Sequence, residues 1–226
     1  MADERAVQIR VAAGVVHGDL VVPDGAAGLV VFAHGSGSSR HSPRNRMVAA
    51  SLQERGFATL LMDLLTQEEE AVDVCTRHVR FDLSLLASRL TAAAEWVAGQ
   101  DELSRLPVGY FGASTGAAAA LVAAATSPEH VAAVVSRGGR PDLAGEHLPA
   151  VRAPTLLIVG GRDEVVLGLN QQAAARMTSE WRLEIVPGAT HLFEEPGALD
   201  EVVRLSGDWF AAHFGTSGCG PTLNGR

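Results

Sequence analysis

Between Pro107 and Ala117 the chain reads Pro-Val-Gly-Tyr-Phe-Gly-Ala-Ser-Thr-Gly-Ala. A short β-branched and aromatic run, a Gly-x-Ser-x-Gly turn and an alanine-rich helical stretch follow one another without a spare residue. A strand that turns sharply into a helix satisfies that order, with Ser114 at the turn. Glycines on either side let strand and helix approach where a side chain would clash. The free N–H groups of the helix N-terminus then lie beneath the serine oxygen and favour negative charge there.

In a chain with 24 glycines the spacing alone is weak, so the neighbouring segments carry the argument. Gly28 to Ala33 is a continuous apolar run, read as a buried parallel strand, that empties into His34-Gly35-Ser36-Gly37-Ser38-Ser39. Such a loop supplies one oxyanion N–H and the residue after the nucleophile supplies the other, here Ser36 and Thr115. A serine hydroxyl needs a histidine base and an acid to orient it. Pro154 to Val159 runs into Gly160-Gly161-Arg162-Asp163, and Leu183 to Val186 runs into Pro187-Gly188-Ala189-Thr190-His191. Ligands of open parallel sheets bind beyond the carboxyl ends of the strands, so Ser114, Asp163 and His191 converge on one edge. Their order along the chain is that of α/β-hydrolases. Asp63, Asp142 and Glu194 are competing acids, but Asp163 alone directly follows the strand before the histidine strand. Asp163 has a second reading as the cap of the following helix. Of the other histidines none follows the last strand, and His34 is expected to bond backbone groups of the oxyanion loop.

Three stretches carry a family resemblance: His34-Gly35-Ser36-Gly37-Ser38-Ser39-Arg40-His41-Ser42-Pro43-Arg44-Asn45, Gly109-Tyr110-Phe111-Gly112-Ala113-Ser114-Thr115-Gly116, and Ser136-Arg137-Gly138-Gly139-Arg140-Pro141-Asp142-Leu143. With Gly161-Arg162-Asp163 and Ala189-Thr190-His191 they span nearly the whole chain. The sequence resembles α/β-hydrolases of the dienelactone hydrolase family, most of all the bacterial subgroup found alone or fused to phosphoribosyltransferase domains. One departure is chemical: dienelactone hydrolases proper use cysteine as nucleophile, and position 114 is serine. The resemblance implies a mostly parallel sheet of about eight strands flanked by helices.

Length and composition limit the other classes. With 226 residues and 47% hydrophobic content, one α/β domain over 1–214 is expected, followed by a mobile tail, 215–226, rich in Gly, Ser, Thr, Asn and Pro. Eighteen basic against 26 acidic residues, net −8, with no basic face, points away from nucleic acid. No basic-then-apolar leader and no run long enough to span a bilayer are present, so a cytoplasmic protein away from membranes is expected. Cys75 and Cys219 lack metal or redox spacing, and neither a metal nor a cofactor is expected. Val7 to Val11 and Val15 to Val22 read as an edge hairpin, and helices are expected over 43–55, 80–98 and Ala198 to Phe214. Leu64 to Val79 reads as a loop with a short helix whose Glu68, Glu69 and Glu70 form a solvated face. Only Pro141 to Arg152 separate the sixth and seventh strands, too few for a large lid. Trp96, Trp181 and Trp209 are expected in or near the core.

The expected activity is therefore hydrolysis of small or short-chain carboxylic esters or lactones through an acyl-enzyme on Ser114. Three other readings stand beside it: an acyltransferase on the same residues, in which an alcohol or thiol replaces water; a peptidase; and a non-catalytic partner or regulatory domain, which would have no need of Ser114, Asp163 and His191 together. Arg40, Arg137 and Arg140, with Arg44, issue from the carboxyl edge of the sheet and suit an anionic substrate. In a chain this acidic the competing reading pairs each of them with an Asp or Glu.

Overall fold

The computed structural model describes residues 3–215; the tail expected over 215–226 lies, apart from Gly215, outside the described residues, as does Cys219. An antiparallel hairpin of β1 (Arg5–Val11) and β2 (Gly14–Val21) opens the chain, and β2 pairs antiparallel with β4 (Ala58–Met62). The remaining strands run parallel: β3 (Leu29–Ala33), β5 (Val108–Ala113), β6 (Ala133–Arg137), β7 (Thr155–Gly160) and β8 (Trp181–Val186). The order across the sheet is β1-β2-β4-β3-β5-β6-β7-β8. Strands β3 to β7 are buried along their whole length, which is why they read as continuous apolar runs and not as alternations.

Among the described residues, six α-helices cover the two faces: α1 (Pro43–Glu54), α2 (Gln67–Thr76), α3 (Leu83–Ala98), α4 (Thr115–Thr126), α5 (Glu164–Ala174) and α6 (Ala198–Phe214). Successive residues of a strand point to opposite faces, so β3 sends Leu29, Val31 and Ala33 to one core and Val30 and Phe32 to the other. The first core includes Leu86 and Leu90 of α3 and Leu121 of α4; the second includes Leu52 of α1 and Val202 and Phe210 of α6. Helix α4 is buried from Thr115 to Ala124, which explains its alanine-rich, non-amphipathic sequence.

Local chemistry sets the helix boundaries. Ser42 Oγ accepts the Asn45 N–H at 3.4 Å, and Pro43 occupies the first turn of α1. The helix expected from residue 80 instead starts at Leu83, because Asp82 Oδ1 accepts the Leu85 N–H at 3.0 Å and a 3₁₀ turn, Val79–Phe81, precedes it. Within 64–79, a full ten-residue helix forms behind a capping box: Thr66 Oγ1 accepts the Glu69 N–H at 3.2 Å, and Glu69 Oε2 accepts the Thr66 N–H at 2.8 Å. Glu69 thus leaves the solvated face expected for it. Its other oxygen accepts from Arg89, which is 1% exposed and would otherwise be a buried, uncompensated charge. Trp181 also departs from expectation: it is 43% exposed on the edge strand β8, whereas Trp209 is buried. The β6–β7 connection is filled by 3₁₀ turns, Pro141–Ala150, and holds no lid. No helix among the described residues is long and apolar enough to cross a membrane.

Candidate active site

Strand β5 reaches helix α4 through Ser114 alone, and the turn requires φ 50° and ψ −121° at that residue. A Cβ on Gly116 would lie 2.3 Å from Ala33 O, and one on Gly112 would lie 2.4 Å from Ala117 Cα. Both glycines are therefore demanded by close approach of backbone, as the sequence spacing suggested. The end of β6 and the loop after it hold the turn from its other side. Ser114 N–H donates to Arg137 O at 3.3 Å, and Ser114 O accepts from Arg140 N–H and Ala117 N–H, each at 3.1 Å.

Asp163 stands at the N-cap position of α5, yet its side chain makes no cap bond. Its Oδ2 lies 2.7 Å from His191 Nδ1. An ionised carboxylate only accepts, so Nδ1–H is the donor and Nε2 is the ring nitrogen left for other work. Gly138 faces this imidazole; a Cβ there would sit 3.0 Å from His191 O. The competing acids are engaged elsewhere: Asp63 with Arg40, Asp142 with Arg140, and Glu194 with Arg44.

A cavity of about 270 Å³ opens at the carboxyl ends of β3, β5 and β6. Ser114, His191 and Ser36 line it, and among the eight histidines only His191 does so. At the start of the loop after β3, His34 bonds backbone groups as expected: Nδ1 lies 2.9 Å from Gly35 O, and Nε2 accepts the Leu64 N–H at 3.2 Å. Burial keeps its pKa below the ordinary value, so the neutral ring that both bonds require is favoured. In a trans peptide the N–H points opposite to the C=O, so the Gly35 carbonyl turned to His34 directs the Ser36 N–H away from that ring. Neither Ser36 N–H nor Thr115 N–H, the first of helix α4, has an acceptor among the described residues. A second cavity, about 320 Å³, lies across the same loop beside His17, Asp63 and Glu70; Ser114 and His191 do not line it.

The arginines separate sharply. Arg40 lines the second cavity and pairs with Asp63 and Asp19, and Arg140 forks onto Asp142 at 2.9 and 2.8 Å. Neither lines the cavity of Ser114. Arg137 does, at 6% exposure, with no carboxylate in ion-pair range among the described residues. Its Nη2 lies 3.5 Å from Asn45 Oδ1, its guanidinium is 5.9 Å from the Phe193 ring centre, and Nε has no partner. Burial, reinforced by nearby Arg44, pushes its pKa down to about 10, which leaves it a cation at neutral pH. Arg44 and Asn45 also line the cavity from the first turn of α1. The sequence signal for Asn45 was the Ser42-Pro43 helix start immediately after the oxyanion loop. No group of three or more His, Cys, Asp or Glu among the described residues is placed to hold a metal ion.

The sheet order, the serine turn and the histidine bonded to an aspartate after the next-to-last strand define an α/β-hydrolase fold. Residues 16–206 match the dienelactone hydrolase family, and the chain belongs to it. It is 58% identical to a crystal structure described as dienelactone hydrolase from Anabaena variabilis, with a TM-score of 0.92 over 94% of this chain and 98% of the other. Est1E from Butyrivibrio proteoclasticus shares the fold at 16% identity, with a TM-score of 0.76 over 92% and 98% of the two chains. A Mycobacterium tuberculosis protein named putative phosphoribosyl transferase is 60% identical over 220 residues. That match covers 96% of this chain but 48% of the relative, so the chain spans about half the length of that relative.

Proposed function

We propose that this hydrolase cleaves small carboxylic esters or lactones through an acyl-enzyme on Ser114, without a cofactor, in the cytoplasm. The observation that carries the reading is the strained Ser114, in one cavity with a His191 whose Nδ1 is committed to Asp163 at 2.7 Å. His191 Nε2 removes the hydroxyl proton as Ser114 Oγ attacks the carbonyl carbon, and Asp163 stabilises the imidazolium that forms. The oxyanion takes the N–H groups of Ser36 and Thr115. His191 returns the proton to the leaving alcohol; water, deprotonated by the same nitrogen, then releases the acid and frees Ser114.

The substrate carries an anionic group held by Arg137. A buried guanidinium without a counter-ion and with an unpartnered Nε is costly as it stands, and a carboxylate or phosphate in the cavity would offset that cost. Arg44, whose present partner Glu194 has a side chain 63% exposed, is free to swing to the same anion.

Turnover of an activated acetate ester tests the first statement, and Ser114→Ala should lower the rate by a factor on the order of 10⁶. A serine-directed phosphonate should add its mass at Ser114. A variant that keeps most of its activity would remove the assignment. For the anionic group, specificity constants on matched neutral and carboxylate-bearing esters are compared. The preference for the anionic ester should fall about tenfold or more in Arg137→Gln, weaken with salt, and persist in Arg40→Gln and Arg140→Gln. A wild type that prefers the neutral ester would sink this part while leaving the serine mechanism standing.

A further inference from the structure

Strand β8 ends the sheet, and its outer edge has no strand partner among the described residues. The carbonyls of Glu180 and Val186 accept from Thr155 and Gly161 on the β7 side. Backbone groups alternate direction along a strand, so Trp181, Leu183 and Ile185 project their N–H and C=O groups from the free edge. The side chains of these three share the α5 face with their register partners Thr155, Leu157 and Val159. Trp181 is 43% exposed, Ile185 45%, and Val165 on α5 76%. Arg182 and Glu184 occupy the opposite face, in register with Leu156 and Ile158, and pair with each other. Soluble proteins blunt such an edge with proline, a bulge or unmatched charge. The segment Trp-Arg-Leu-Glu-Ile has neither proline nor bulge, and its two charges are opposite.

We propose that β8 pairs with β8 of a second copy of this chain, antiparallel about a two-fold axis through Leu183, joining two eight-stranded sheets into one. A two-fold perpendicular to the sheet keeps each face on its own side, so only registers that pair odd with odd and even with even residues are allowed. Centring on Leu183 sets Arg182 opposite the partner's Glu184, and Trp181 opposite the partner's Ile185, with both copies contributing both contacts. Centring on Arg182 or Glu184 instead opposes like charges. The Leu183 register also makes the outward-facing residues 181, 183 and 185 the hydrogen-bonded pairs of the ladder. The other sheet edge lacks this property. Strand β1, Arg-Ala-Val-Gln-Ile-Arg-Val, has two arginines and no acid, so no register of β1 on its copy matches charge.

Sedimentation of the whole chain over a dilution series up to about 100 µM tests the pairing. The wild type should be a dimer. Arg182→Glu alone and Glu184→Arg alone set like charges opposite each other at both symmetry-related positions, and each should raise the dimer Kd about tenfold or more. The double exchange, Arg182→Glu with Glu184→Arg, should recover the wild-type Kd. Hydrolysis of a neutral activated ester should be unchanged in all three, which shows that they are folded. A monomeric wild type at the highest concentration overturns the proposal. So does a dimer whose Kd ignores both single reversals, because that interface lies elsewhere.

Discussion

A side chain held at φ 50° and ψ −121° costs on the order of 1–3 kcal/mol, and Ser114 keeps that geometry because its N–H and C=O are tied to the end of β6 and the loop after it. Ser114 lines the cavity in that conformation, and glycine adopts it without strain, so Ser114→Gly should melt at a higher temperature than Ser114→Ala while being equally inactive. In the proposed mechanism Asp163 acts through the tautomer of His191. An amide at that position can donate and accept, and it favours the ring with Nε2 protonated, which cannot take the serine proton. Asp163→Asn should therefore lower kcat by about 10⁴ at neutral pH. Asp63→Asn and Asp142→Asn, whose carboxylates face Arg40 and Arg140, should lower it far less. Stopped-flow or steady-state rates on one activated ester would rank the three. A larger loss in either control would move the acid role away from Asp163.

Among the elements, the β5–α4 junction is held by close approach of backbone to backbone. A methyl at Gly116 would meet Ala33 O and His34 O at 2.3 and 2.4 Å, and neither is the movable end of a side chain. Relief requires β3 and α4 to separate, which also shifts the loop that begins at His34 and carries Ser36. Gly116→Ala should cost about 1–3 kcal/mol of stability in denaturant unfolding and should also depress kcat. Gly25→Ala, a positive-φ site with open space around it, is the control: some loss of stability, no loss of rate. Helix α2 belongs to the same scale. Its two inward acids, Glu69 and Asp73, reach Arg89 and Arg80, so a stretch that reads as a charge run is anchored by ion pairs on one side and solvated on the other.

At the scale of the whole molecule, parallel strands side by side deliver the loops after β3, β5, β6, β7 and β8 to one edge, and the β6–β7 connection is too short to roof them. The cavity of about 270 Å³ is accordingly small, and Ser36, Arg44, Asn45 and Arg137 are among its lining residues. Each additional methylene it could bury is worth only about 0.8 kcal/mol, and an open, arginine-lined cavity buries few. Specificity constants should therefore fall along an acyl series beyond short chains, and emulsified substrate should bring no jump in rate. Fastest turnover on long-chain triglyceride emulsions would contradict this reading.

Much of this protein was readable from the chain because its information is local. The glycine-flanked turn at Ser114, the helix start at Ser42 and the placement of Asp163 and His191 after successive strands all follow from spacing and backbone sterics. A few residues decide each of them. The fate of charged side chains was not readable, since it depends on which groups the fold brings within a few ångströms across long sequence separations. Arg40 and Arg140 found Asp63 and Asp142, Glu69 found the buried Arg89, and Arg137 alone was left in the cavity without an acid. Trp181 came out on a sheet edge because strand order, a property of the whole sheet, sets which strand is last. Sequence by itself determined the turn, the order of Ser114, Asp163 and His191 and the kind of sheet; only tertiary structure decided which charges were neutralised, because Coulomb pairing and burial are settled by distance in space and not by distance along the chain.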